Sequence, residues 1–255
     1  MAALIVRTCR ESLADWATFT GGEPLLHQGL AEMVSHVHQE LPQLRLGLSC
    51  NGTLLDEKKL DDLIAAGISY MEMPLFASSR ARYQQLTGSD LLAAAQLAFA
   101  ITRARMLSLT AAVVLLQGGQ DDFRDVVRTA FALGADRIAL NPFTPTGHSL
   151  IEEKQYQLDR SGLVHYLKMA DTLAAELRFP IHVTIPLEDC LFPHEDFPNL
   201  RFGTCACGKD KFAISPDGML RLCEQSAQPL GNLKEQSFAE LAALPQAQAF
   251  RADHR

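Results

Sequence analysis

Two groups of residues in this chain have types and spacings that could do chemistry. The first is the run Thr18-Phe19-Thr20-Gly21-Gly22-Glu23-Pro24-Leu25-Leu26. Two glycines let a backbone turn with positive φ and approach a small molecule closely, Glu23 offers an acceptor to an ammonium group, and Pro24 stiffens the exit. The run therefore reads as a ligand-binding strand end, with an ordinary tight turn and an exposed glutamate as the plain alternative. The second group is Cys190, Cys205, Cys207 and Cys223, four of the six cysteines, all in the last third of the chain. Four thiolates gathered by a hairpin and two loops can hold a tetrahedral zinc or an iron-sulfur cluster, and spacing alone does not decide between them. Paired CxxC knuckles, common in structural zinc sites, are absent.

Both groups need a scaffold, and the pattern around them supplies one. Short apolar segments at Trp16–Thr20, Arg45–Leu48, Tyr70–Leu75, Ser108–Leu115, Arg137–Asn141 and Ile181–Ile185 alternate with helical stretches. Those stretches include Leu30 to Val37, Glu57 to Ala66 behind an Asp56 cap, Ser89 to Ala104, Phe123 to Leu133 and Gly162 to Leu177. Strand, helix, strand in this order predicts a parallel sheet with crossover helices, and such folds bind ligands at the carboxyl ends of their strands. Gly21 and Gly22 stand at such an end. After Pro186 the texture changes to Pro, Asp, Phe, Gly and Cys. Phe212 to Ser215, turning through Pro216-Asp217-Gly218 into Met219 to Leu222, predicts a β-hairpin. The expected organisation is a barrel-like part over residues 1–185 and a small cysteine-rich module over 186–255. A metal would stabilise a module of that size.

Composition narrows the setting. At 255 residues with 47% hydrophobic and 21% charged content, the chain can bury a full core. A net charge of −7 without basic clusters argues against a nucleic-acid surface. No apolar run approaches the roughly 20 residues of a membrane span, and the amino terminus lacks a secretion-signal layout, so a cytoplasmic protein with metal-binding or buried thiols is expected.

Taken together, the motifs resemble those of radical SAM enzymes. Thr18 to Leu26 is similar to their GGEPLL strand end, and Cys50-Asn51-Gly52-Thr53-Leu54-Leu55 to the TNGTLL segment that follows. Asn141-Pro142-Phe143-Thr144-Pro145-Thr146-Gly147 is similar to a later strand exit. Cys205-Ala206-Cys207-Gly208, Ile214-Ser215-Pro216-Asp217-Gly218, Cys223 and Leu230-Gly231-Asn232-Leu233 resemble the start of a SPASM or twitch domain. The elements occur in the family's order and span nearly the whole chain. The resemblance implies a partial (β/α)6 TIM-like barrel and an S-adenosylmethionine site at Gly21, Gly22, Glu23 and Pro24, with Asn51 as a further contact. It also implies an auxiliary 4Fe-4S cluster on Cys190, Cys205, Cys207 and Cys223, a peptide as substrate, and an electron-donor protein if the chain is active.

One departure from the family pattern bears on mechanism. The CxxxCxxC loop that holds the radical-generating cluster does not occur in these 255 residues, where Cys9 stands alone. The expectation is a barrel lacking its first strand and a chain unable by itself to cleave the cofactor, since that electron comes from iron. Ala2 to Ser12 reads as the end of the family's first helix. The Trp16 strand is then an unpaired edge that promotes association, and sedimentation showing a monodisperse monomer would count against this. Two alternatives stand beside the enzyme reading: a shortened, non-catalytic partner of an intact paralogue, and a phosphate-binding TIM-like enzyme with a zinc-bound tail. Among isolated residues, Glu72 points either into the barrel mouth or toward Arg80 or Arg82, Met71 and Met73 read as core, and His27 reads as solvated.

Overall fold

In the computed structural model, residues 1–145, 150–151 and 153–253 are described. The chain opens with α1 (Ala2–Glu11) and then alternates β1 (Trp16–Phe19), α2 (Leu30–Glu40), β2 (Arg45–Ser49), α3 (Glu57–Ala66) and β3 (Ile68–Pro74). Two helices, α4 (Arg80–Thr87) and α5 (Leu92–Ala104), precede β4 (Ser108–Leu115), and α6 (Gln120–Ala132) precedes β5 (Arg137–Pro142). Then come α7 (Glu153–Tyr156), α8 (Arg160–Leu177), β6 (Ile181–Val183) and β7 (Leu200–Phe202). The seven strands form one parallel sheet in chain order. The α/β, partial-barrel expectation holds, with β7 as a strand the sequence pattern did not reveal. Three residues are too few to show a period, and β7 lies beyond the boundary expected at 185.

Local chemistry starts and stops the helices, at Asp56 as anticipated, whereas α4 was not read from the sequence and α5 begins at Leu92 rather than Ser89. Asp56 accepts the Lys59 N–H at 2.7 Å, and α3 ends at Gly67 in the left-handed region. Asp159 caps α8 through the Gly162 N–H at 2.7 Å.

Side chains alternate across the sheet, and the alternation defines the molecule. Outward positions such as Leu46, Leu48, Met71, Met73, Leu109, Ile138, Leu140 and Val183 are buried beneath the helices. Met71 and Met73 are therefore core, as expected. Inward positions are polar or small: in register across neighbouring strands stand Ser49, Glu72, Thr110 and Arg137. A two-sided sheet with a helix-covered outside and a polar inside has a lumen rather than a second apolar layer.

β1 pairs only with β2, so its other edge is open among the described residues. Ala17 and Phe19 nevertheless pack against the main core, and the face left to solvent carries Trp16 at 38% exposure, with the Arg45 guanidinium 4.6 Å from its ring centroid.

The tail folds as a three-stranded antiparallel sheet of β8 (Ala213–Ile214), β9 (Met219–Arg221) and β10 (Pro229–Asn232), followed by α9 (Phe238–Ala242) and α10 (Pro245–Asp253). The hairpin read from the sequence is β8–β9, and β10 extends it. A second core of Leu220, Leu230, Leu233, Leu241 and Ala247 sits beneath.

Helix α1 belongs to both cores. Val6 is buried in the main one, and Leu4 packs against the tail's. Arg7 donates to the Leu233 carbonyl, and Glu11 accepts the Phe238 N–H at 2.6 Å. Val6→Ala is expected to destabilise the whole chain by about 2 kcal/mol, lowering the urea midpoint without splitting the transition. A tail that melts separately from the barrel would contradict the shared-helix arrangement.

Candidate functional site

The strand-end turn is built by conformational need. Gly21 and Gly22 have φ of +93° and +52°, where an L side chain is strained. A Cβ built on either would meet no atom within 4 Å. The glycines thus border open space, and only their dihedrals exclude side chains.

Glu23 does more than wait for a ligand. Its Oε1 accepts the Leu25 N–H at 2.9 Å, capping the short turn Pro24–Leu26, and its Oε2 accepts the Asn51 N–H at 2.8 Å. The carboxylate therefore ties the exit of β1 to the exit of β2. Each oxygen retains a lone pair for an outside donor. Pro24 and Leu25 are buried beneath the turn. This clamp was not read from the sequence, because a separation of 28 positions between Glu23 and Asn51 hides it.

Asn51 occupies the facing strand exit as expected, but its side chain is engaged locally. Its Oδ1 accepts from the Thr53 N–H at 2.9 Å and the Thr53 hydroxyl at 2.8 Å. The Asn-Gly turn supplies that arrangement. Gly52 at φ +74° is crowded, since a Cβ there would lie 2.8 Å from Ala98 Cβ and 2.9 Å from Met73 Sδ. Beside it Cys50 is buried, its thiol pushed up to about 12 by burial and then by the Glu23 charge. His27 bonds its own turn, accepting the Gly29 N–H at 3.1 Å.

Further along the strand ends lies a cavity of about 640 Å³. Glu72 lines it, with Val114, Asn141, Thr144 and Thr184 from neighbouring strand exits and Lys211, Glu224 and Gln225 from the tail. Glu72 does not pair with either arginine considered from the sequence: Arg80 bonds Asp90, and Arg82 bonds Gln85 at 2.8 Å. Its partner is the Tyr70 hydroxyl, which donates to Oε2 at 3.0 Å. Burial, then the Glu72 charge, pushes the Tyr70 phenol well above its ordinary range. Tyr70 was not singled out from the sequence, although its i−2 position puts it on the same strand face as Glu72. Within the stretch 141–147, Asn141 accepts from the Thr184 hydroxyl, while Thr146 and Gly147 lie outside the described residues.

In the tail, Cys207 is pushed up to about 12 by burial, by the hydrogen bond its thiol donates to Cys223, and by the charges of Cys223, Cys205 and Glu224. Three of the four expected thiols therefore interact. Cys190 is exposed on the loop after β6, and none of the interactions acting on Cys207 comes from it. Among the described residues no set of three or more Cys, His, Asp or Glu side chains stands in a finished metal-holding arrangement. The donors are still of the right kind, because negative charge on neighbouring thiols disfavours the Cys207 thiolate and a cation among them reverses that effect.

A parallel α/β sheet with a glycine-lined strand end and a cysteine-bearing hairpin over its mouth defines a barrel-type protein with an appended cysteine-rich module. Comparison with known proteins is specific on both parts. The radical SAM superfamily model matches residues 5–130, and the SPASM iron-sulfur cluster-binding domain model matches residues 205–255. Residues 5–130 are thus identified as radical SAM superfamily sequence and residues 205–255 as a SPASM domain.

A PqqA peptide cyclase of Streptomyces rochei is 32% identical over 126 residues, covering 48% of this chain and 33% of that protein. A GTP 3',8-cyclase of Helicobacter pylori (strain HPAG1) is 38% identical over 73 residues, 29% of this chain and 22% of that one. The matches thus span a third or less of these relatives' lengths. Two solved structures share the fold: anSMEcpe with bound AdoMet and Kp18Cys peptide (TM-score 0.72, 15% identity, 98% of this chain, 73% of that one) and Streptococcus suis SuiB bound to S-adenosylmethionine (0.73, 12%, 98%, 60%). Among the described residues no helix is long and apolar enough to cross a membrane.

The turn geometry ranks three substitutions. Gly21→Ala and Gly22→Ala are expected to cost about 1 kcal/mol each, from backbone strain alone. Gly52→Ala adds a clash with Ala98 and Met73 and is expected to cost clearly more, all three measured by urea denaturation. Glu23→Ala strands two backbone N–H groups and is expected to cost about 2 kcal/mol.

Proposed function

We propose that these residues form the S-adenosylmethionine-binding and auxiliary-cluster parts of a peptide-modifying radical SAM enzyme. The observation that carries this reading is the open space beside Gly21 and Gly22, where no described atom lies within 4 Å of a built Cβ, with the Glu23 carboxylate next to it. An ammonium needs several acceptors around it. The free lone pairs of Glu23 and the backbone carbonyls of a positive-φ turn provide them, so the turn would hold the methionyl amino group. Pro24 and Asn51 keep the turn and its neighbour in place.

Cys205, Cys207 and Cys223 would hold a 4Fe-4S cluster, and Cys190 is the fourth ligand proposed from the sequence. When bound, such a cluster supplies one-electron chemistry near the substrate. What these residues themselves do is bind and orient the cofactor, exclude water over the barrel mouth, and present thiolates. Peptides as substrates are supported by relatives and neighbours whose titles name them: PqqA peptide, the Kp18Cys peptide, and the precursor peptide SuiA bound to SuiB. A CxxxCxxC loop is not among these 255 residues, so binding without cofactor cleavage is what they predict for themselves.

Calorimetric titration with S-adenosylmethionine is expected to show binding that weakens at least about tenfold in Gly22→Val, which fills the open space. Anaerobic reconstitution is expected to load iron and acid-labile sulfide in equal amounts, lost on Cys207→Ala or Cys223→Ala. A folded chain that ignores S-adenosylmethionine, or one that takes up zinc without sulfide, would overturn the corresponding half.

A further inference from the structure

The cavity of about 640 Å³ between the strand ends and the tail has an uneven charge distribution. Its lining contains three ionisable charges, Glu72, Lys211 and Glu224. Lys211 and Glu224 neutralise each other across 2.6 Å at the roof. Among the described residues Glu72 makes no ion pair. Its bond is to the neutral Tyr70 hydroxyl, at 3.0 Å, and Arg137, two strands along the same inward row, makes no ion pair with it. In that row, Thr110 Oγ1 is buried, facing Tyr70 without completing a hydrogen bond of normal geometry. Between this polar floor and the roof the walls are largely apolar, including Phe76, Leu86, Val114 and Phe143.

A half-buried carboxylate at the floor of an apolar-walled cavity is stable when a cation reaches it, because desolvation is costly for a charge left alone. The chemistry that fits is an apolar stem ending in a positive charge. From this arrangement we infer that the cavity selects a peptide residue with a cationic side chain, lysine or arginine, and that Glu72 is its counter-ion. The inference deepens the peptide-modifying reading and rests on it. Tyr70 acts as a positioning residue, fixing one carboxylate oxygen and leaving the other for the ligand. The paired roof contributes no net charge, so selectivity resides at the floor.

The test uses the full chain and three capped tripeptides, Ac-Gly-Lys-Gly-NH2, its norleucine counterpart of equal stem length, and its glutamate counterpart. Trp16 is the single tryptophan, and its ring lies 5.0 Å from that of Tyr70, so its fluorescence reports on the floor. The lysine peptide is expected to bind about tenfold more tightly than the norleucine peptide, and the glutamate peptide more weakly still. Glu72→Gln is expected to abolish the preference, whereas Tyr70→Phe, which keeps the carboxylate but frees the oxygen that Tyr70 fixes, is expected to reduce it without abolishing it. Circular dichroism verifies that each variant is folded.

Equal affinities for lysine and norleucine, no binding of either up to about 10 mM, or a preference that survives Glu72→Gln would each overturn the inference. S-adenosylmethionine titration of the same samples separates the two levels. Cofactor binding without a charge preference refutes only the role of Glu72, while loss of cofactor binding in the unmodified chain refutes the reading beneath it.

Discussion

The carboxylate of Glu23 is the point on which the front of the molecule depends. Two adjacent parallel strands end in loops of different length and conformation, and nothing in a sheet ladder dictates how those loops lie against each other. One side chain accepting one N–H from each loop imposes that relation. Because each bond involves a charged acceptor, it is stronger than a neutral one. The open glycine turn, the Asn51 turn and the buried Cys50 all take their positions from it. The side chain at this turn with acceptor capacity to spare is therefore also the one that fixes the two loops against each other.

A second constraint comes from the two faces of the sheet. The outer face is conventional core, and its fully buried Leu, Met, Ile and Val side chains supply the hydrophobic stabilisation. The inner face carries Glu72, Tyr70, Thr110, Arg137 and His182 instead. His182 is held below the usual imidazole range by burial, then by Arg201 and Arg137. A sheet with such an interior cannot collapse on itself, and the tail covers its mouth with an ion pair and Gln225.

Much of this was legible in the sequence where the signal was local. The strands at Arg45, Tyr70, Ser108 and Arg137, the Asp56 cap, the glycine turn and the tail hairpin each announce themselves within a few residues. The family resemblance followed from the order of short motifs. What stayed hidden was long-range: the bond from Glu23 to Asn51, the partnership of Glu72 with Tyr70, and the joining of β7 to β6. The inward alternation was blurred because Tyr70, Ala112 and Ala139 look apolar in a one-letter string while facing a polar lumen. Of the cysteines, the three near the hairpin interact, as hairpin geometry would suggest. Cys190, distant in sequence from the others, had no such local constraint behind its assignment.

Helix α1 carries a consequence for how such proteins diversify. Since Leu4 and Val6 are neighbours on one helix yet feed different cores, the cysteine-bearing tail is not an interchangeable cassette. A chimera that swaps residues after Phe202 for those of a distant relative would retain a foreign docking helix. Its new tail would meet mismatched side chains at Leu4, Arg7 and Glu11. Successful recombination should therefore exchange the opening eleven residues together with the tail, so that two segments far apart in the gene are inherited as one mechanical unit.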